Sequence, residues 1–448
     1  MLLIYTITFL IAAMLYYLKI NFIASGLMIA LAIFLYYCEY KKRKKIINIC
    51  GLFALGFIGG FGVSLLKLSK LSADYNIITI IVVYVAYFSL YLGAYFVEHN
   101  KKVEFNDRNE NIENKVKISN EIDGKSYLKK GDKLIIVLII ITAISFLIEA
   151  YILKFIPLFT YDTPHAYSTF HVFMIHYITT FYIFIPSFAL ANIKSYDGSK
   201  KFFIISSIYM ILMSLLLVSR AQLIQSLVLM IFVHLIYQGK NILLNKKYYI
   251  YVGISLCVFL ILYIFITYNR AHDVSYLNGI FEMKNPRIPI FISQPYMYVA
   301  HNFENLNYLI NNLTHFSFGR RMLAPLFTLT LVKKYFPIVL DSPTYIIKEE
   351  LTTKTILYDA YYDFGIVGVI VFMFVIGAIG VYIENKIYDS SYNYKRYMIV
   401  LYALYCFYMF FSFFQTFFSL TDTWVYITFI IIITLIVNRD IIVKTSKK

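Results

Sequence analysis

Residues 134–155 read LIIVLIIITAISFLIEAYILKF, with Glu149 and Lys154 the only charges in those 22 positions. About 20 mostly apolar residues are needed for a helix to cross a hydrocarbon core. This run therefore predicts a membrane span. Similar runs recur at 2–18, 20–40, 46–66, 76–97, 169–193, 202–218, 221–238, 248–268, 360–384, 397–418 and 423–438. The 202–218 and 221–238 pair is a tight hairpin broken at Ser219-Arg220. The expectation is an all-α polytopic membrane protein with about twelve transmembrane helices. Only 15% of residues are charged, against ~25% in a soluble domain. The opening run lacks a basic leader and a small-residue cleavage site, so it reads as the first span and not as a signal peptide. Cys38, Cys50, Cys257 and Cys406 lie in or beside apolar runs with no metal-ligand spacing, and read as small core residues.

Charge sets the orientation. With the N-terminus inside, most Lys and Arg fall in cytoplasmic segments: Lys41 to Lys45, the 98–133 loop, 194–201, 239–247, 385–396 and the tail from Arg439. That obeys the positive-inside rule and puts both termini in the cytoplasm. The net charge of +16 is thus topogenic. Basic residues scattered over short loops do not make a nucleic-acid face. Five segments follow: spans at 1–97, a polar and disordered cytoplasmic loop at 98–133, spans at 134–268, a large extracytoplasmic loop at 269–359, and spans with a cytoplasmic tail at 360–448. The outer loop holds short apolar runs, IPIFI at 288–292 and APLFTLTLV at 324–332. These are too short to cross a bilayer and predict short interfacial helices. No internal repeat and no matched pair of Gly/Pro-broken spans points to a transporter.

Charges at the mouth of a span are functional hypotheses. Glu149 ends the fifth span, Arg220 tips the hairpin with Gln222 and Gln225 after it, and Arg270, His272 and Asp273 end the ninth. Asp359 and Asp363 open the tenth. His171 and His176 lie in the sixth, His176 deeper and read as a core histidine. The outer loop adds Arg287, His301, Glu304, His315, Arg320 and Arg321. Residues 296–312 have helical character, with Tyr298, Asn302 and Asn305 on one face and His301 beside Glu304. Such a helix either lies at the interface with its polar face solvated or presents His301 or Glu304 to a substrate. Guanidinium groups at an outer boundary suit phosphate, although each one alone also suits snorkelling. No metal is demanded by this set. Gly365, Gly368, Gly377 and Gly380 read as close-packing positions.

Three stretches carry a resemblance: IPLF at 156–159, Ser219-Arg220-Ala221-Gln222, and YDAYYDFGIVGV at 358–369. With the span layout, they resemble the Wzy-type O-antigen polymerases, including their archaeal relatives. The resemblance implies transfer of a growing glycan from an isoprenoid-(pyro)phosphate carrier onto a new lipid-linked repeat unit, without a cofactor, on the outer side of the plasma membrane. It implies phosphate binding by Arg220, Arg270, and Arg287 or Arg320, and a base at His301 oriented by Glu304, with Glu149 as the alternative base. Gln222, Asp363 and Asn302 would line the substrate pocket. Membrane lipid, a flippase and a chain-length regulator are the implied partners, and no nucleic acid. One departure stands out: the 156–168 loop is short and has no Arg, so Arg220 or His165 would substitute. A lipid-linked oligosaccharide flippase or exporter and an O-antigen-type ligase are the competing readings.

Overall fold

Lipid offers a main chain no hydrogen-bond partner, so an apolar run satisfies itself as a helix. The computed structural model describes residues 1–99, 129–160, 166–195, 197–238, 274–335, 343–388 and 395–445. In order these form α1 (Leu2–Tyr17), α2 (Asn21–Arg43), α3 (Ile49–Ser64), α4 (Ile77–His99) and α5 (Lys130–Leu153). Next come α6 (Ile175–Thr180, a 3-10 turn Phe181–Phe184, then Ile185–Lys194), α7 (Lys200–Leu216) and α8 (Arg220–Gln238). The 269–359 segment contributes α9 (Val274–Phe281), α10 (Ile290–Asn312) and α11 (Ala324–Leu329). Last are α12 (Tyr358–Tyr388), α13 (Lys395–Phe410) and α14 (Thr421–Thr445). Among the described residues, α2, α4, α5, α8 and α12 are long and apolar enough to cross a membrane, and α1, α3, α13 and α14 contain shorter apolar helices. The 248–268 run, Arg270, His272, Asp273, His165 and nearly all of the 98–133 loop lie outside the described residues.

Three runs depart from plain helices. The third contains a π-turn at Ala54–Ile58, where Gly56 lies directly under the Phe410 carbonyl of α13. The sixth is not helical until Ile175, after Met174 at φ 66°. The eleventh stops at Phe410 and continues as turns to Leu420.

Close backbone contact fixes α12 on α4. Gly377 faces the Leu90 carbonyl, and Gly93 faces the Phe374 carbonyl, so neither position has room for a Cβ. Gly380 sits under Ile49 and Tyr405. In lipid, small residues at a crossing let dispersion and main-chain contacts substitute for a hydrophobic drive. Gly368 instead faces the Ala360 carbonyl, beside a break in α12.

Ion pairs mark one end of the bundle. Arg43 bonds Glu39 (2.7 Å), Glu98 (2.6 Å) and Glu384 (3.5 Å), while Lys45 and Tyr402 also reach Glu384, at 3.0 and 2.8 Å. At that end Arg396 pairs with Asp197 at 2.6 Å, Asn192 links Tyr397 to the Gly131 carbonyl, and Asp132 caps Ser199. Those contacts place the start of α5, the end of α6, and the starts of α7 and α13 together. The end of α5 and the starts of α6, α8, α12 and α14 therefore share the opposite end.

There α10 is packed inside the protein. The expectation of a solvated polar face does not hold for it: His301, Asn302, Glu304, Asn305 and Asn307 are all buried. Phe303 packs on Phe57 and Phe61 of α3. Lys67 Nζ pairs with Glu304 at 2.6 Å, and Tyr75 OH and Ala73 N–H donate to the same carboxylate at 3.1 and 3.2 Å. Burial pushes Lys67 down to about 8 and Glu304 up, each partly opposed by the other's charge. An isolated bridge between Ser69 and Met283 ties the same stretch to the 269–359 segment. Asn305 holds the carbonyls of Leu351 and Thr353, each at 2.9 Å, so residues 347–353 are pinned to α10 as well.

Two substitution sets test this packing by thermal unfolding in detergent. Gly377→Leu or Gly93→Leu should lower the melting temperature, at about 1–3 kcal/mol or more for overpacking. Gly26→Leu should not, because a Cβ there meets nothing within 4 Å. Equal melting points for Gly377→Leu and Gly26→Leu would refute the contact. Lys67→Met strands a buried carboxylate and should cost about 3–5 kcal/mol, much of it regained in Lys67→Met/Glu304→Leu. A double variant as unstable as the single would show that the pair does not hold α10.

Candidate functional site

The Tyr-Asp-Phe-Gly stretch breaks its helix. Phe364 (φ −142°, ψ 17°) and Gly365 (φ 61°, ψ −146°) interrupt α12. A residue with a Cβ at position 365 would be strained and would press on the Phe316 ring at 3.0 Å. The break turns Asp363 towards residues 317–322. Its carboxylate accepts from the Ser317 hydroxyl, Arg321 N–H (3.2 Å) and Met322 N–H (2.8 Å). Ser317 and Phe318 N–H groups donate to the carbonyls of Tyr362 and Asp363, each at 3.2 Å. Asp363, expected in a substrate pocket, is thus the anchor of a turn that carries two arginines.

Those arginines differ. Arg320 is exposed. Arg321 is half-buried, 3.4 Å from Asp359, bonded to the Pro343 carbonyl at 2.7 Å, and 4.2 Å above the Tyr362 ring. Lys354 lies 4.7 Å above the Tyr358 ring, its pKa lowered by burial against the pull of Asp359. Two cations, Arg321 and Lys354, thus act on Asp359. Arg321 was visible in sequence only as one basic residue among several, and nothing in the sequence singled out Lys354.

A second cluster joins α5, α6 and α14. Glu149 is buried, and its Oε1 takes the Val172 N–H at 3.0 Å and lies 3.1 Å from His176 Nδ1. Its Oε2 is buried without a geometric hydrogen bond among the described residues, and the Thr179 hydroxyl also acts on the carboxylate. The His171 ring sits 4.9 Å from that of His176, and Asp422, at the start of α14, acts electrostatically on both imidazoles. The left-handed Met174 explains the geometry: the chain before Ile175 is unwound, leaving the Val172 N–H and His171 free to face Glu149. A non-glycine residue held at positive φ is a strained position of the kind found at functional sites. His176, read from sequence as a core histidine, is a partner of Glu149.

The hairpin tip forms a third part. Arg220 is buried at the start of α8. Ser219 N–H bonds the Ser214 carbonyl at 3.0 Å across a left-handed Val218. Gln222 accepts from Tyr182 OH at 2.9 Å. Tyr182 and His176 both belong to α6, which links this part to the second.

The remaining candidates are dispersed. Arg287 is exposed on the turn after the Ser69–Met283 bridge, and its N–H bonds Asn285 at 3.0 Å. Glu304 is held by Lys67, so it does not orient His301. Both ring nitrogens of His301 are buried without a geometric hydrogen bond among the described residues. Burial pushes that ring down to about 4, with the Leu351 backbone opposing, so it is neutral at physiological pH. Asn302 donates to the Tyr298 carbonyl at 2.5 Å, and its Oδ1 is buried without a partner. Among the described residues no three His, Cys, Asp or Glu side chains converge as metal ligands.

The family model described as "Putative O-antigen polymerase" matches residues 60–409. No curated protein and no solved structure matches the chain. The matched region takes in the Lys67–Glu304 pair, the Glu149–His176 pair, the hairpin tip and the whole arginine turn. This multi-pass membrane protein belongs to the O-antigen polymerase family.

Proposed function

We propose that the chain polymerises lipid-linked oligosaccharide repeat units into a surface polysaccharide, at the outer face of the plasma membrane. The family supplies the reaction class. The observation that carries the site is the arginine turn gripped by Asp363, at the same end of the bundle as a buried carboxylate–histidine pair. About twelve spans, cytoplasmic termini and an extracytoplasmic 269–359 loop belong to this reading, supported by the charge distribution.

In the proposed step a hydroxyl on the non-reducing-end sugar of a new repeat unit attacks the anomeric carbon of the growing glycan. The bond from that carbon to the carrier's phosphate oxygen breaks, and the phosphate leaves with the electron pair. Glu149 takes the hydroxyl proton through Oε2, its oxygen without a geometric hydrogen bond among the described residues, while His176 holds Oε1. Fixed cations stabilise developing charge without reorganising. Arg320 and Arg321 serve the leaving phosphate, with Arg220 and Arg270 as further phosphate ligands. Arg287, exposed and apart from the turn, is the weakest of that set. Gln222 and Asn302 contact sugar in this reading. His301 is a second, neutral base, without help from Glu304. No cofactor is invoked.

Chain length of lipid-linked glycan in cells lacking and then re-expressing the protein decides between readings. Single repeat units without it and a ladder with it establish a polymerase. Loss of all outward-facing repeat units would make it a flippase, and a ladder stranded on its carrier would make it a ligase. Glu149→Gln should cut turnover about 10²–10⁴-fold, and Arg320→Ala on the order of 10²-fold, with melting temperatures unchanged. Normal ladders from these folded variants would sink the assignment. His301 gives a pH test. Its pKa is about 4 when folded against 6.5 unfolded, so on acidification the unfolded chain takes up the proton first. Stability should fall from pH 6.5 to about 4, by about 1.4 kcal/mol per pH unit from this group. In His301→Gln the slope should shrink by one proton, and an unchanged slope would mean the ring is not buried.

A further inference from the structure

An apolar groove of about 210 Å³ runs between α5, α6 and α14, lined by Leu138, Ile141, Ile178, Phe181, Phe429 and Ile432 among others. No polar atom contributes to its walls. The one lining hydroxyl, Thr142, turns away to the Leu138 carbonyl at 2.9 Å and to Tyr209. Ile141 and Ile432 are exposed on its rim, so it opens on the apolar flank of the bundle.

Helical register connects it to the second cluster. Glu149 is seven residues beyond Thr142 on α5, and Asp422 is seven before Phe429 on α14. Residues seven apart lie on one face about two turns along the axis. His176 precedes Ile178 at the start of α6. All three helices therefore lead from groove to cluster. α11, three residues past Arg321, packs against α14, so α14 joins the groove, the cluster and the segment bearing the arginine turn.

We propose that this groove seats part of the isoprenoid chain of the lipid-linked substrate and delivers its phosphate end past Glu149 towards Arg320 and Arg321; the inference rests on the polymerase reading. The apolar wall excludes sugar and phosphate from the groove, since either would lose its hydrogen bonds there. The two carboxylates above it repel a phosphate at their own level. What enters is uncharged hydrocarbon, and what emerges meets the arginines. The occupant is a branched prenyl chain attached to a phosphate, because the lipid-linked substrate of the polymerase reading presents hydrocarbon to the groove and phosphate to the arginines.

The wild-type protein in phosphatidylglycerol vesicles, photolysed with a polyprenyl phosphate bearing a mid-chain diazirine, gives a test independent of turnover. Label should fall on peptides of α5, α6 and α14. Unlabelled polyprenyl phosphate should compete, and added phosphatidylethanolamine should not. Label elsewhere, or equal competition by the phospholipid, would overturn the assignment and make the groove an ordinary acyl-chain site. Ile432→Trp should raise the apparent KM for a long-chain lipid-linked substrate on the order of tenfold. It should leave a two-isoprene analogue unaffected, and equal effects on both would also overturn the proposal. Labelling of the groove in a protein that forms no polymer would uphold the seat and refute the polymerase.

Discussion

A carboxylate in the middle of a buried helix must find a cation or be neutralised. Glu304 finds Lys67, brought from the segment between α3 and α4 and itself at positive φ. Much of the architecture around α10 follows from that pairing. It draws residues 67–75 over α10, which lets Asn76 and Thr79 bond Asn307. It holds α10 against the α3 aromatics, so that Asn305 can organise residues 347–353. That stretch leads on to Asp359 and Asp363, the carboxylates that hold the arginine turn. A charge pair on the α3 side thereby bears, through two layers of main chain, on where Asp359 and its partner Arg321 stand.

At one end of the bundle Arg43, Lys45 and Arg396 are matched to Glu39, Glu98, Glu384 and Asp197. Basic residues of the short loops are stitched into the packing there. Among the described residues, buried polar atoms without geometric partners occur at both ends: Glu39 Oε1 lies among these ion pairs, and Glu149 Oε2, Asn302 Oδ1 and both His301 nitrogens lie at the other end. Buried polar atoms in that state need an explanation, such as water or a ligand.

Much of the helical layout was legible because 20-residue apolar runs have few alternatives in lipid. Helix breaks were less legible, since Met174 at positive φ and the π-turn around Gly56 depend on what packs against them. The site was readable only in part. Glu149 and Arg220 stood out as charges at span mouths, and Arg320 as one basic residue of the long 269–359 loop. The partner of Glu304 is 237 positions away, and no periodicity announces a contact of that kind. His176 looked like core because an unbroken helix would have kept the Val172 N–H away from Glu149. The role of Asp363 was hidden for a related reason: its ligands are mainly backbone N–H groups, which every residue has.

That last point bears on how such an enzyme can diversify. Asp363 grips the main chain of residues 321 and 322, and Gly365 supplies the reversal that lets it do so. The hold is indifferent to which side chains residues 320 and 321 carry. Exchanging them alters the surface offered to a substrate without dismantling the turn that presents it. A scaffold with this division of labour allows the presented side chains to change while its framework is retained.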